Sequence, residues 1–187
     1  MTLGIRHPGA RLAVLLLCLA AMPAAADTTP TREYELKAAL IYKLARFVEW
    51  PEGHLRDALR ICVLGRDPFG SAIDALEARK RNELPIEVWR IAADDARLGA
   101  CSILFITREK ATGMKLLRSK LKGQPILTIG DSEAFARSGG TIQMALERKK
   151  IRFIVNLWSA EEAGLKIAAP LLDLSTVIRS QGAGARR

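Results

Sequence analysis

The chain has 187 residues, with 29 Lys and Arg against 20 Asp and Glu for a formal net charge of +9, and it holds only two histidines and three cysteines. About 160 residues remain once the N-terminal segment is set aside, which is one domain by size and long enough for a real core. The basic surplus admits anionic lipid or an acidic protein surface as partner, or serves simply as a solvated face; export excludes nucleic acid.

Arg6, His7 and Arg11 make a basic start, Leu12 to Ala21 is an uncharged apolar run, and Pro23 with Ala24, Ala25 and Ala26 supplies a small-residue end. That order predicts a signal peptide over 1–26, cut after Ala26, and hence a periplasmic protein. The run is well short of the roughly 20 apolar residues needed to cross a bilayer. Cys18 follows Leu15, Leu16 and Leu17 where a lipid-modified cut site wants small residues, so no lipid anchor is expected. The domain is expected over 27–180, and the Gly-rich basic stretch 181–187 as a disordered tail.

From Thr31, an N-cap residue, the pattern predicts a helix to Trp50, stopped by Pro51. On a helical wheel Glu35, Tyr42, Lys43, Arg46, Glu49 and Trp50 share one polar sector. Leu36, Leu40, Leu44 and Phe47 line the opposite stripe, which Tyr34, Ala38, Ile41, Ala45 and Val48 widen and only Lys37 interrupts. An arc this wide implies a helix wedged between two elements, or one that meets another chain.

Strand and helix signals then alternate. Strands are expected over 59–64, 85–91, 102–107 and 125–129, and helices over 71–78, 108–121 and 132–137, with a turn at Asp67-Pro68-Phe69-Gly70. Alternation of this kind predicts an α/β fold, a mostly parallel sheet flanked by helices on both faces. The rhythm then changes: 141–146 and 151–155 around Arg148-Lys149-Lys150 form a C-terminal antiparallel hairpin. A short helix capped by Asn156 or Ser159 ends at Gly164, and a last helix is expected over 169–178.

Two cysteines follow the signal peptide, Cys62 and Cys101. An even pair in an oxidising compartment favours a disulfide over two buried thiols. In the doubly wound strand order 2-1-3-4-5 the strands that carry them are neighbours, about 4.8 Å apart, which suits a disulfide.

Groups able to do chemistry are few. His54 is the one histidine beyond the signal peptide, so a zinc site or a Ser-His-Asp arrangement has almost nothing to build on. Asp94-Asp95 and Glu161-Glu162 are sequence neighbours that point apart, a solvated surface. The loop Leu64 to Gly70 lacks both nucleotide-loop fingerprints, with Pro68 and Phe69 where a phosphate would lie. Arg66 and Asp131, at the ends of two strands, define a candidate pocket for a small anion or nucleotide. No catalytic residue, metal or cofactor is expected. Trp89 and Trp158 are expected in the core, whereas Trp50 either anchors a partner or folds back.

Tyr34-Glu35-Leu36-Lys37-Ala38-Ala39-Leu40-Ile41-Tyr42, continued by Phe47-Val48-Glu49-Trp50-Pro51, resembles the opening signature of the YfiR family. The likeness returns at Ile61-Cys62-Val63-Leu64-Gly65, Asp67-Pro68-Phe69-Gly70, Cys101 to Ile106, Ile126 to Asp131, Phe135-Ala136, Gly139-Gly140, Arg152 to Asn156 and Ala163 to Ile167. The resemblance implies a periplasmic α/β regulator that restrains a membrane-bound diguanylate cyclase through its sensor domain and is sequestered by an OmpA-like outer-membrane lipoprotein. It makes Cys62 and Cys101 the family's disulfide positions; the second cysteine pair of some relatives is missing here. Lys43, Arg46 and Trp50 are the expected contact residues for a partner or a second copy in a homodimer. The alternative function is a small-molecule or nucleotide sensor at Arg66 and Asp131.

Overall fold

The computed structural model describes residues 32–179. The expected signal peptide, the Thr31 cap, Ser180 and the tail lie outside the described residues. Helix α1 (Arg32–Leu44) opens with Glu33 and Glu35 and closes with Lys43, charges that complement its dipole. It is shorter than the sequence implies. A single 3-10 turn, Ala45–Phe47, follows, and Val48–Glu49 is a strand, β1. Pro51 drives the chain before it into extended backbone, and β-branched Val48 is better buried in a strand than in a frayed helix end. The helical wheel therefore fails beyond Leu44, and Trp50 does not lie on a helical face.

The sheet is built on β2 (Leu59–Leu64), which pairs in parallel with β4 (Leu84–Ile91) on one side and β5 (Ile103–Ile106) on the other. β6 (Leu127–Gly130) and β7 (Ile142–Glu147) extend it in parallel, so β4-β2-β5-β6-β7 has the expected 2-1-3-4-5 order. Beyond β7 the expected hairpin is present: β8 (Lys150–Asn156) pairs antiparallel, with Glu147 opposite Lys150. β3 (Lys80–Arg81) turns back antiparallel on β4 at the other edge. A separate pair joins β1 to β9 (Lys166–Ile167), Val48 against Ile167.

Strand alternation divides the core into two layers. Leu59, Ile61, Val63, Ile103, Phe105, Leu127 and Ile129 face one side, where α1 and α5 (Leu157–Glu162) contribute Ala38, Ile41 and Ala160. Cys62, Leu64, Leu104 and Ile106 face the other, under Met114, Leu117 and Leu121 of α4 (Met114–Leu121). Apolar runs in the strands follow directly, because both faces are covered. The mostly parallel α/β fold with helices on both faces is as the sequence implies.

Several elements differ in extent. The helix expected over 71–78 keeps only its first turn, α2 (Ser71–Asp74), before tight turns take over. The expected 108–121 helix breaks into α3 (Arg108–Ala111) and α4, because Thr112 and Gly113 are both poor helix formers. Residues 132–137 form turns instead of a helix, with Ala134 at φ +58. That turn drops the Phe135 ring between Gly130 and Gly140, where added β-carbons would fall 2.6 and 2.1 Å from it. The last expected helix stops at Asp173, as α6 (Ala169–Asp173). β-branched Thr176, Val177 and Ile178 then form β10 (Ser175–Ile178), parallel to β8. Asn156 is the cap of α5; its Oδ1 accepts from the Ser159 amide at 3.0 Å.

Cys62 and Cys101 form a disulfide with Cα atoms 5.9 Å apart, and both are fully buried. It ties β2 to the residue that enters β5, closing a loop with a sequence separation of 39. On the chain-entropy account this contributes about 4 kcal/mol. The Cys62→Ser/Cys101→Ser variant is expected to lose that amount in urea unfolding, and thiol reagents to react with the native chain only after denaturant and reductant are added.

Candidate functional site

The charged centre of the molecule is a residue that looks out of place in the sequence. Lys37 interrupts the apolar arc of α1, yet it is 0% exposed. An isolated ammonium there costs far more than one domain can absorb, so it needs a carboxylate. Two meet it: Glu33, one turn back on α1, and Asp131, which leaves the C-terminal end of β6. The Asp131 side chain is itself 1% exposed. Its Oδ2 also accepts a 2.9 Å hydrogen bond from the Tyr34 hydroxyl, and its Oδ1 faces the Arg108 guanidinium at 3.4 Å. Arg108 approaches Glu33 at 3.8 Å, and the Lys37 ammonium lies 4.4 Å from the centre of the Tyr34 ring.

This network is positioned by the sheet. Parallel strands bring the ends of β5 and β6 side by side, Ile106 opposite Gly130, so Arg108 and Asp131 emerge next to each other. α1 crosses them, and the Tyr34 ring packs edge-on against Phe69, which packs edge-on against Phe105. Burial, followed by the negative charge of Asp131, pushes the Tyr34 hydroxyl up to about 12. The same carboxylate holds Arg108 more firmly protonated than an ordinary arginine. Lys37, Tyr34 and Asp131 hold one another and so make a latch between α1 and the sheet, with exposed Arg108 at its rim.

Arg66 and Asp131 are not brought together. Arg66 has a side chain 88% exposed, and its amide and guanidinium both turn to Glu109, at 2.8 and 3.9 Å. Asp131 is taken up by Lys37, Tyr34 and Arg108. An open cleft lies elsewhere, between α4 and α5, floored by Thr128 and Thr141 and bridged by the Arg118–Glu162 pair. His54 sits in its loop with Nε2 buried and unpartnered, and burial lowers its pKa. Among the described residues no group of three or more His, Cys, Asp or Glu is arranged to hold a metal ion.

Lys43 and Arg46 are exposed, on the last turn of α1 and the 3-10 turn that follows. Trp50 is folded back: its indole N–H donates to the Ser102 carbonyl at 3.3 Å. Arg81 covers the ring at 5.0 Å while donating to the carbonyls of Ala45 and Val48 at 2.8 and 2.9 Å. Burial in that position lowers the Arg81 pKa. Trp89 packs on the core as expected, half-buried between Arg60 and Arg97, whereas Trp158 is half-buried under Arg118 at 4.3 Å and is not part of either core layer.

The charged latch was missed from sequence, although Lys37 carried a signal. A lysine inside an apolar arc, four residues after a glutamate, needs a buried partner. In the sequence Asp131 reads only as a wall of the Arg66 pocket.

A family model described as YfiR/HmsC-like matches residues 34–176. Two solved structures share the fold. A conserved domain protein from Vibrio cholerae O1 biovar El Tor superposes with a TM-score of 0.55 at 11% identity, covering 79% of this chain and 60% of that one. The ABC domain from Streptococcus pneumoniae in complex with L-Trp gives 0.51 at 12% identity, covering 78% and 60%. The chain therefore spans less than two thirds of either protein, and at such identities the likeness concerns the fold alone.

Removing one partner of the latch strands the other charge. Lys37→Met and Asp131→Asn are each expected to cost about 3–5 kcal/mol in urea unfolding at neutral pH, and the double variant less than their sum. Tyr34 supplies a pH test. Its folded pKa is raised above the unfolded value near 10, so its contribution is complete below pH 10 and lost as pH rises through about 12. Wild-type protein is expected to lose stability more steeply across that window than Tyr34→Phe, followed by circular dichroism.

Proposed function

The chain belongs to the YfiR/HmsC-like family, and from that membership we propose that it is a periplasmic binding protein that restrains a membrane-bound diguanylate cyclase through the cyclase's periplasmic sensor domain. Family members are regulators of cyclic di-GMP signalling and not enzymes. A binder of this kind works by preferring one conformation of its target and so shifting the population toward it. An OmpA-like outer-membrane lipoprotein opposes it by competing for the binder, and a second copy of the chain is a further candidate partner.

The observation that carries this reading is the family match over residues 34–176. The closed latch supports it against a small-molecule sensor at Arg66 and Asp131, because Lys37 and Tyr34 occupy the carboxylate a ligand would need. The buried disulfide suits an oxidising compartment. Exposed Lys43 and Arg46 offer cations to an acidic face of the sensor domain, beside a Trp50 whose ring is fixed by Arg81.

Affinity-tagged protein expressed in its own host is expected to retain a membrane diguanylate cyclase, and deletion of the gene to raise cyclic di-GMP. The Lys43→Glu/Arg46→Glu variant is expected to bind about tenfold more weakly, chiefly through slower association at low salt. Recovery of no cyclase together with unchanged cyclic di-GMP would refute the proposal.

A further inference from the structure

The outer end of the β7–β8 hairpin carries positive charge that the molecule does not neutralise. Arg148, Lys149, Lys150 and Arg152 are all exposed, and Glu147 is the one carboxylate between Ala145 and Arg152. Among the described residues none of the four cations joins an ion pair. Arg60, Arg90, Arg97 and Arg118, by contrast, each donate to a carboxylate.

Strand alternation gives this end two unlike faces. Met144 opposite Phe153 and Leu146 opposite Ile151 share one face, and Ala145 opposite Arg152 and Glu147 opposite Lys150 share the other. Met144 is fully buried, yet Leu146, two residues on, is 49% exposed. The apolar row thus runs outward past the elements that cover it, and cations crown its end. The turn residues Arg148 and Lys149 both have positive φ, +47 and +63, a two-residue geometry that Asn-Gly adopts with less strain. Long cationic side chains occupy the place that turn chemistry assigns to small residues.

We infer that this hairpin end docks on an anionic phospholipid bilayer, Leu146 entering the interface while Arg148, Lys149, Lys150 and Arg152 meet headgroup phosphates. Four unpaired cations around an exposed leucine fit a surface that is anionic outside with an apolar layer beneath. Of the side chains that most often anchor a protein partner, this end offers arginines but neither Trp nor Tyr. The inference reaches beyond the proposed regulation and does not depend on which membrane protein is bound.

Flotation of the disulfide-bonded protein with vesicles tests it. Binding is expected to vesicles of phosphatidylcholine mixed with phosphatidylglycerol and not to phosphatidylcholine alone, and it is expected to fall as salt rises. The Arg148→Asn/Lys149→Gly variant relieves the positive-φ strain, so it is expected to melt no lower than wild type while partitioning about thirtyfold more weakly, the loss of two surface charges. Leu146→Ser is expected to weaken partition without abolishing the salt dependence. Equal binding to both vesicle types, undiminished binding by the Asn-Gly variant, or capture by an immobilised acidic protein without any flotation would each overturn the inference.

Discussion

A buried ammonium on α1 sets the terms for this fold. Lys37 enters the core only because Asp131 is held at the end of β6, and Asp131 tolerates burial only because Lys37, Tyr34 and Arg108 surround it. Such a pair adds little net stability over apolar residues of the same size, since desolvating both charges offsets most of their attraction. Its effect is on position. A purely apolar α1 could slide or rotate across the sheet at modest cost, whereas the ion pair is satisfied at one register. The helix is thereby fixed across the ends of β5 and β6, one strand over from the β2–β5 boundary where doubly wound sheets of this strand order commonly bind a ligand.

The disulfide fixes the opposite layer. Cys62 lies on the sheet face under α4, and the bond holds β2 and the entry to β5 together independently of side-chain packing. β5 is thus constrained at both ends, by the disulfide at its entry and by the charged latch just past its exit. At the periphery lie the exposed basic end of α1, the two-stranded β1–β9 patch and the hairpin tip.

How much of this was legible in the sequence follows the kind of interaction involved. The strands were readable because burial on both faces turns each into an apolar run, and β2 matches the predicted 59–64 residue for residue. The hairpin was marked by its basic turn, and the disulfide by an even cysteine pair on strands that the predicted order makes neighbours. Helix ends were less legible, because propensity is weak and tertiary partners decide. Val48 left the helix to pair with Ile167, and Thr176 to Ile178 left one to pair with β8. Neither partner is close in sequence. The latch was hidden for the same reason, since Lys37 and Asp131 are 94 residues apart and only the sheet order brings them together.

On the proposed reading, discrimination between states of a partner rests on surface complementarity. Charges at a rim act mostly on encounter rate and orientation and contribute less to final affinity. The Lys43–Arg46 end of α1 and the Arg148–Arg152 end of the hairpin are two separate basic sites, both exposed. A regulator of a membrane protein gains from this division. If both proposals hold, one basic site confines the search to the plane of the bilayer, which raises the effective concentration of the second site at its target without any new contact between them. Affinity for that target can then remain moderate, and a competitor that draws the protein away has less binding energy to overcome.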